Sequence, residues 1–427
     1  MFHAENDAVR SLLLKGNFGL EKESLRITGD GSFSLTLHPF PDNRNIVYDF
    51  CENQTEINTD VAASAEEAER LLAFHTRQVH EKLASLNEPE YIWPFSNPPF
   101  IRNERDIPIA HHNSKAEYSE WYREYLANRY GRYMMSLSGI HVNYSFSDEL
   151  LKADFELSEN GSFVEYKNRI YLDLAAGLAA YGWLVTALTA ASPLLDGSYL
   201  ERGRRGITVF NGFASTRCSE LGYWNYFVPV FDYSDIRAYA GSIQQYVDAG
   251  LIAAPTELYY PIRLKSYGKN DLNRLASEGV SHIELRTVDL NPFELSGISL
   301  RDLKFIQLLF VWIASSPGKN LTLRDQVQAA QNFKKAARYD LKTVKIVIPK
   351  GKSLSVVKTG FELIKQMKEF YRDFPDEVME ILEFEEDKLR IPEKRYAWII
   401  KEQFEDDFAG KGLALAKELQ ERILTNV

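Results

Sequence analysis

Cysteine is nearly absent: the 427 residues hold only Cys51 and Cys218. So few thiols rule out a disulfide-stapled fold and fit a reducing cytoplasm. A surplus of positive charge is missing as well. Fifty Lys and Arg stand against 60 Asp and Glu, a formal net charge of -10. A nucleic-acid partner is therefore not expected, because neutralising phosphates takes a surplus of base. The opening MFHAENDAVRSLLLKG lacks the basic start and long apolar run of a secretory signal.

Long apolar runs are scarce. The longest uncharged one, between Asp173 and Asp196, approaches bilayer length but is mostly Ala, Gly and Thr with acids at both ends. It reads as the central helix of a soluble core, and the run Phe305–Ala314 as a shorter buried helix. No membrane association is expected. Nucleotide signatures are missing too. Gly351-Lys352-Ser353 ends like a P-loop, but the first glycine would fall at Ile346, and no G-x-G-x-x-G follows a strand. His111-His112 has no partner at zinc-like spacing, which argues against structural zinc. The basic turn Arg202–Gly206 fits a polyanion contact or an ordinary surface loop equally well.

What is present is an ordinary globular composition, 45% apolar and 26% charged. No repeat or Pro/Gly/Ser-rich linker divides the chain, so it reads as one domain over 1–427. The motif-bearing core covers about 16–315, and a mostly helical region covers about 320–427. Strands are expected at Phe18–Ile27, Ser32–Thr36 and Ile46–Asn58, with Gly29-Asp30-Gly31 as a hairpin turn. Others are expected at Gly139–Phe146, Gly206–Phe213, Leu258–Leu264 and His282–Val288. Ser64 and Glu67 form a capping-box pattern that opens a helix with Leu71, Leu72, His75, Val79, Leu83 and Leu86 on one face. A second helix is expected from Ser119 to Met135. The acidic blocks FEEDK and FEDDF read as solvated helix surface.

The informative residues are charged groups inside strand-like segments. Two residues apart, Glu21 and Glu23 share a face of an extended chain. Asp49 and Glu56 lie in the next long strand. In SGIHVNYSF, Ile140, Val142, Tyr144 and Phe146 alternate with His141, Asn143 and Ser145, and in HIELRTVDL Glu284 and Arg286 share a face. Any one strand of this kind could be a solvent face. Four of them together point to a metal- and phosphate-handling site, since oxygen ligands with one imidazole suit Mg²⁺ or Mn²⁺. Asp49 and Glu56, seven apart, would point to opposite faces of a regular strand, so both can be ligands only across a bulge or bend.

In order, GLEKESLRI, DFCENQTEINT, YREYLANRYG, SGIHVNYSF, STRCSELGY, ELYYPIRLK and ELRTVDLNPF resemble glutamate–cysteine ligases of the bacterial type and the N-terminal module of bifunctional glutathione synthases. The resemblance implies an α+β, glutamine-synthetase-like fold, a curved antiparallel sheet forming a funnel-shaped site backed by helices. It implies ATP-dependent joining of L-glutamate and L-cysteine through a γ-glutamyl phosphate. By matching position, Glu21, Glu23, Asp49, Glu56, His141 and Glu284 are expected as Mg²⁺ ligands, with Mn²⁺ as an alternative. Arg286, Arg123 and Arg217 are expected at the phosphoryl and carboxylate groups. Tyr122, Tyr223, Tyr259 and Phe50 are expected around the cysteine substrate, with Asn143 assisting. A cytoplasmic monomer is expected. A related ligase with another amine acceptor, a Mg²⁺-dependent phosphohydrolase and a catalytically silent homologue are the alternatives. Cys51 is expected to be an inert buried thiol.

Overall fold

The computed structural model describes residues 1–110, 117–158, 161–200, 206–268, 271–318 and 320–425; His111, His112 and the basic turn Arg202–Arg205 lie outside them. The fold is α+β. Strands β1 (Gly16–Ile27), β2 (Ile46–Tyr48), β3 (Gln54–Asn58), β4 (Tyr91–Ile92) and β5 (Ile140–Phe146) come first in the chain. After them come β6 (Leu194–Asp196), β7 (Thr208–Phe210), β8 (Ile262–Lys265) and β9 (His282–Val288). The main sheet has the order β2-β3-β1-β5-β9-β8, with β4 pairing β1, and every pair in it is antiparallel.

Alternation divides the sheet into two faces. Leu20, Ile57, Val142, Leu285 and Leu264 are buried on one face. There the helix Ala65–Ala84 packs on β1, Phe163–Tyr181 on β8 and Trp183–Thr189 on β9. Burying a large aliphatic side chain contributes about 1.5–3 kcal/mol, so this face holds the sheet in place and leaves the other free for chemistry.

Ser64 caps its helix as expected, its Oγ accepting from Glu67 N at 3.2 Å. The returning Glu67 carboxylate, however, takes the N–H of Ala63 rather than that of Ser64. The long apolar run is two helices, Phe163–Tyr181 and Trp183–Thr189, meeting at 55°. Every described residue of the second is buried in the core. Among the described residues no single helix is long and apolar enough to cross a membrane.

Four strand expectations are corrected. Ile46–Asn58 is a hairpin, in which Val47 opposes Glu56 and Tyr48 opposes Thr55. Ser32–Thr36 makes only the isolated bridge Ile27–Phe33, because Ser34 and Thr36 turn their hydroxyls to Glu90 instead of extending the ladder. Gly206–Phe213 shrinks to β7, which pairs with β6 in a separate small sheet. Of Leu258–Leu264 only the end enters β8, since carbonyls at its start serve the Arg263 side chain. The expected helix from Ser119 to Met135 is broken at Gly131, where φ is 83°.

Candidate active site

The free face of the sheet gathers the charged residues in register. Glu21 lies opposite His141, and Glu23 opposite Glu56. Asn143 lies opposite Glu284, which in turn lies opposite Arg263. Two carboxylates directly across a ladder repel, so the Glu23–Glu56 pairing is costly unless a positive charge joins them. The hairpin resolves the puzzle of Asp49. The chain reverses after β2, and Asp49 comes close enough to raise the pKa of both Glu23 and Glu56.

Glu21, His141 and Glu284 converge, with one donor atom from each inside a 4.8 Å cluster. His141 Nδ1 stands 2.9 Å from Glu21 Oε2 and 3.5 Å from Glu284 Oε1. On the ring's other side, Arg217 Nη2 lies 3.2 Å from Nε2. Arg286 Nη1 lies 3.4 Å from Nδ1 and Glu23 Oε1 3.8 Å from Nε2, so each ring nitrogen faces both an arginine donor and a carboxylate. Asn143 Nδ2 donates to the second Glu21 oxygen at 2.9 Å.

Burial, reinforced by the Arg286 charge, pushes His141 down to about 4, so at neutral pH the ring is uncharged and has one nitrogen lone pair to offer. Burial raises Glu284, but Arg286, Lys265 and Arg263 outweigh it and hold the carboxyl well below its usual range. Burial also raises Glu21, and the hydrogen bond from His141 overcomes it. In contrast, Glu23 is pushed up to about 8 by burial and the Asp49 charge. Burial raises Asp49 and Glu56 likewise. Arg217, Arg286 and Arg123 act on Glu23 and Asp49 but do not offset burial and the neighbouring acids, and that remaining deficit of positive charge, with an oxygen and imidazole donor set, fits a bound divalent cation.

Beside the cluster lies a cavity of about 360 Å³, walled by Glu23, Asp49, His141, Arg123, Arg217 and Arg286 together with Phe50, Tyr122, Tyr223 and Tyr259. Arg286 Nη1 donates to Glu284 Oε1 at 2.7 Å. Arg217 Nη1 donates to the Arg286 carbonyl at 2.5 Å, and its guanidinium lies 5.9 Å from the Tyr223 ring. Arg123, on the helix Glu117–Tyr130, donates through Nε to the Asp49 carbonyl at 2.9 Å. The Tyr223 and Tyr259 rings meet at 5.5 Å, and the Tyr122 hydroxyl accepts from Thr256 Oγ1 at 3.1 Å. Glu21 and Asn143 open instead on a second space of about 870 Å³, a groove along β1 and β5. Of the expected residues, Glu56 and Glu284 line neither space.

Several contributors escaped the sequence reading. Lys265 Nζ lies 3.5 Å from Glu284 Oε2. Its signal was the alternation in IRLK, which puts Arg263 and Lys265 on the face of Glu284. Buried Glu257 accepts from Tyr130 at 2.7 Å and from Ala253 N at 2.6 Å, tying the helix of Tyr122 to the loop of Thr256 and Tyr259. Only the fold brings those partners together. Cys218 lines the cavity, yet burial pushes its thiol up to about 12, so it is not a nucleophile at neutral pH. Cys51 is fully buried, and burial raises its thiol well above the usual range, as expected of an inert side chain.

The chain spans about half the length of the curated relatives it matches. It is 35% identical over 415 residues to the glutathione biosynthesis bifunctional protein of Listeria welshimeri, covering 93% of this chain and 53% of that one. The crystal structure of a bifunctional glutathione synthetase from Pasteurella multocida superposes with a TM-score of 0.84 at 28% identity, over 99% of this chain and 54% of that chain. A glutamate–cysteine ligase from Francisella tularensis, solved with AMP, shares the fold: TM-score 0.86, 23% identity, 96% of this chain and 89% of that chain. The family model described as glutamate-cysteine ligase matches residues 2–250 and 226–336. With that match, the chain belongs to the glutamate–cysteine ligase family.

Proposed function

We propose that this protein joins L-cysteine to the γ-carboxylate of L-glutamate with ATP, giving γ-glutamylcysteine, ADP and phosphate, the first step of glutathione biosynthesis. The observation that carries this reading is the charged row shared by two spaces. A walled cavity of about 360 Å³ suits amino acids, and an open groove of about 870 Å³ suits a nucleotide. The reaction needs both kinds of ligand to meet at one cationic line.

In the first step a γ-carboxylate oxygen bonds to the terminal phosphorus of ATP, and the bond to ADP breaks. In the second the cysteine nitrogen bonds to the acyl carbon, the bond to phosphate breaks and the amine gives up its proton. Glu21, Glu23, Asp49, Glu56, His141 and Glu284 would hold Mg²⁺, with Mn²⁺ as an alternative. When bound, such a cation supplies the positive charge that lets one anion approach another. Arg286, pinned by Glu284, and Arg217, pinned by the Arg286 carbonyl, place fixed positive charge at the inner wall. Arg123 adds a third at the Asp49 edge. Phe50, Tyr122, Tyr223 and Tyr259 form the apolar, hydroxyl-tipped side that suits the thiol substrate. The reading carries with it a curved, funnel-shaped sheet like that of glutamine synthetase, one catalytic domain over 1–427, and a cytoplasmic monomer.

The test is purified protein with ATP, Mg²⁺ and glutamate, with amines added one at a time. Dipeptide formation with cysteine, and ADP release that depends on cysteine, is expected. Equal ADP release without any amine would make the protein a phosphohydrolase. Faster turnover with a different amine would reassign the acceptor.

A further inference from the structure

A third space of about 330 Å³ lies in the C-terminal region, walled in part by Tyr339, Lys342, Lys388, Arg395 and Trp398. Arg395 is 3% exposed. Its Nη1 donates to the Tyr339 carbonyl at 2.7 Å, while Nε and Nη2 have no partner. The indole Nε1 of Trp398, three residues on, is also buried and unpartnered. Among the described residues no carboxylate pairs with this guanidinium. The one acid in the wall, Asp340, is turned to the Lys342 amide and the Thr343 hydroxyl.

A buried arginine left without an anion is costly, and so is each unmade buried N–H hydrogen bond. The position adds to the cost, since Arg395 is the N-cap of the helix Tyr396–Phe404 and sets a positive charge at the positive end of a dipole. Burial accordingly lowers the guanidinium to about 10. Lys388 does not compete for an incoming anion, because Asp302 and Glu385 hold it at 2.5 and 3.0 Å. The remaining wall is apolar: Leu341, Val357, Leu389 and Pro392, beside the Tyr339 and Trp398 rings stacked at 4.7 Å.

We propose that this cavity binds a small carboxylate with an apolar body, its carboxylate completing the Arg395 guanidinium and the Trp398 indole N–H. A planar carboxylate matches adjacent guanidinium donors in pairs, and the apolar wall favours a hydrocarbon body over a bare ion. The proposal does not depend on the ligase reaction.

Benzoate is the probe, titrated against the whole protein by ligand-observed NMR, with benzamide and inorganic phosphate as comparisons. Benzoate is expected to bind at least about tenfold more tightly than either. Arg395→Gln should weaken it about tenfold or more, and Trp398→Phe, which keeps the ring and removes the N–H, about threefold or more. Should Arg395→Gln fail to fold, Trp398→Phe decides. No benzoate binding at 10 mM, roughly the millimolar limit of useful affinity, would overturn the proposal. So would phosphate binding equally well, or benzoate binding that neither folded variant changes.

Discussion

A methyl group at position 139 has no room: a Cβ there would stand 2.4 Å from Nε and Cζ of Arg217. Gly139 therefore lets the guanidinium lie against the backbone at the head of β5, beside His141. Gly139→Ala should push Arg217 out of line and lower kcat/KM about tenfold or more, with the unfolding midpoint nearly unchanged. Equal activity would show that Arg217 need not be where it is. A second residue carries a pH signature. Burial, with Lys22 nearby, lowers His80 from 6.5 to about 3 in the folded chain. The unfolded chain thus binds this proton first. The contribution is complete above about pH 6.5 and is lost progressively as the pH falls towards about 3. His80→Leu should flatten the acid side of the stability curve by a few kcal/mol, on the order expected for a shift this large. Parallel chemical-denaturation curves for the two proteins between pH 6.5 and 4 would contradict it.

Among the elements, the helices Phe163–Tyr181 and Leu300–Ala314 approach closely, and a Cβ on Gly177 would meet Ile313 Cγ2 at 2.2 Å. Gly177→Ala should cost about 1–3 kcal/mol through overpacking, read as an unfolding midpoint in urea. No loss would mean the helices can separate freely. This contact was invisible in the sequence, as was the 55° bend that follows it. What was legible were period-two strands with one polar face: β1, β5 and β9 stand close to where alternation places them, with their charged residues together. Less legible was every feature set by a distant partner. Ile46–Asn58 has strand composition throughout, yet pairing with itself folds it into a hairpin, and that reversal brings Asp49 to Glu23. The helix before Gly131 carried Tyr122 and Arg123 as expected, but their partners on the 256–261 loop and at Asp49 are long-range. Lys265 had a readable signal that alternation alone would have supplied.

For the molecule as a whole, a net charge of -10 includes acids set close together inside the fold, not only on its surface. A cation that joins them binds the folded chain and not the unfolded one, and so stabilises it by mass action. Mg²⁺ at about a hundred times its Kd should raise the unfolding midpoint by about 3 °C. Glu21→Gln should abolish both this shift and turnover while unfolding stays cooperative. A full Mg²⁺ shift in that variant would remove Glu21 from the ligand set. The central claim is that the molecule activates a carboxylate by phosphorylation and then hands it to an amine. The most direct measurement uses glutamate labelled with ¹⁸O in the γ-carboxylate, together with ATP and cysteine, and follows the inorganic phosphate by mass spectrometry. One labelled oxygen per phosphate, formed in step with γ-glutamylcysteine, is the predicted result. Phosphate that carries no label from glutamate would contradict it.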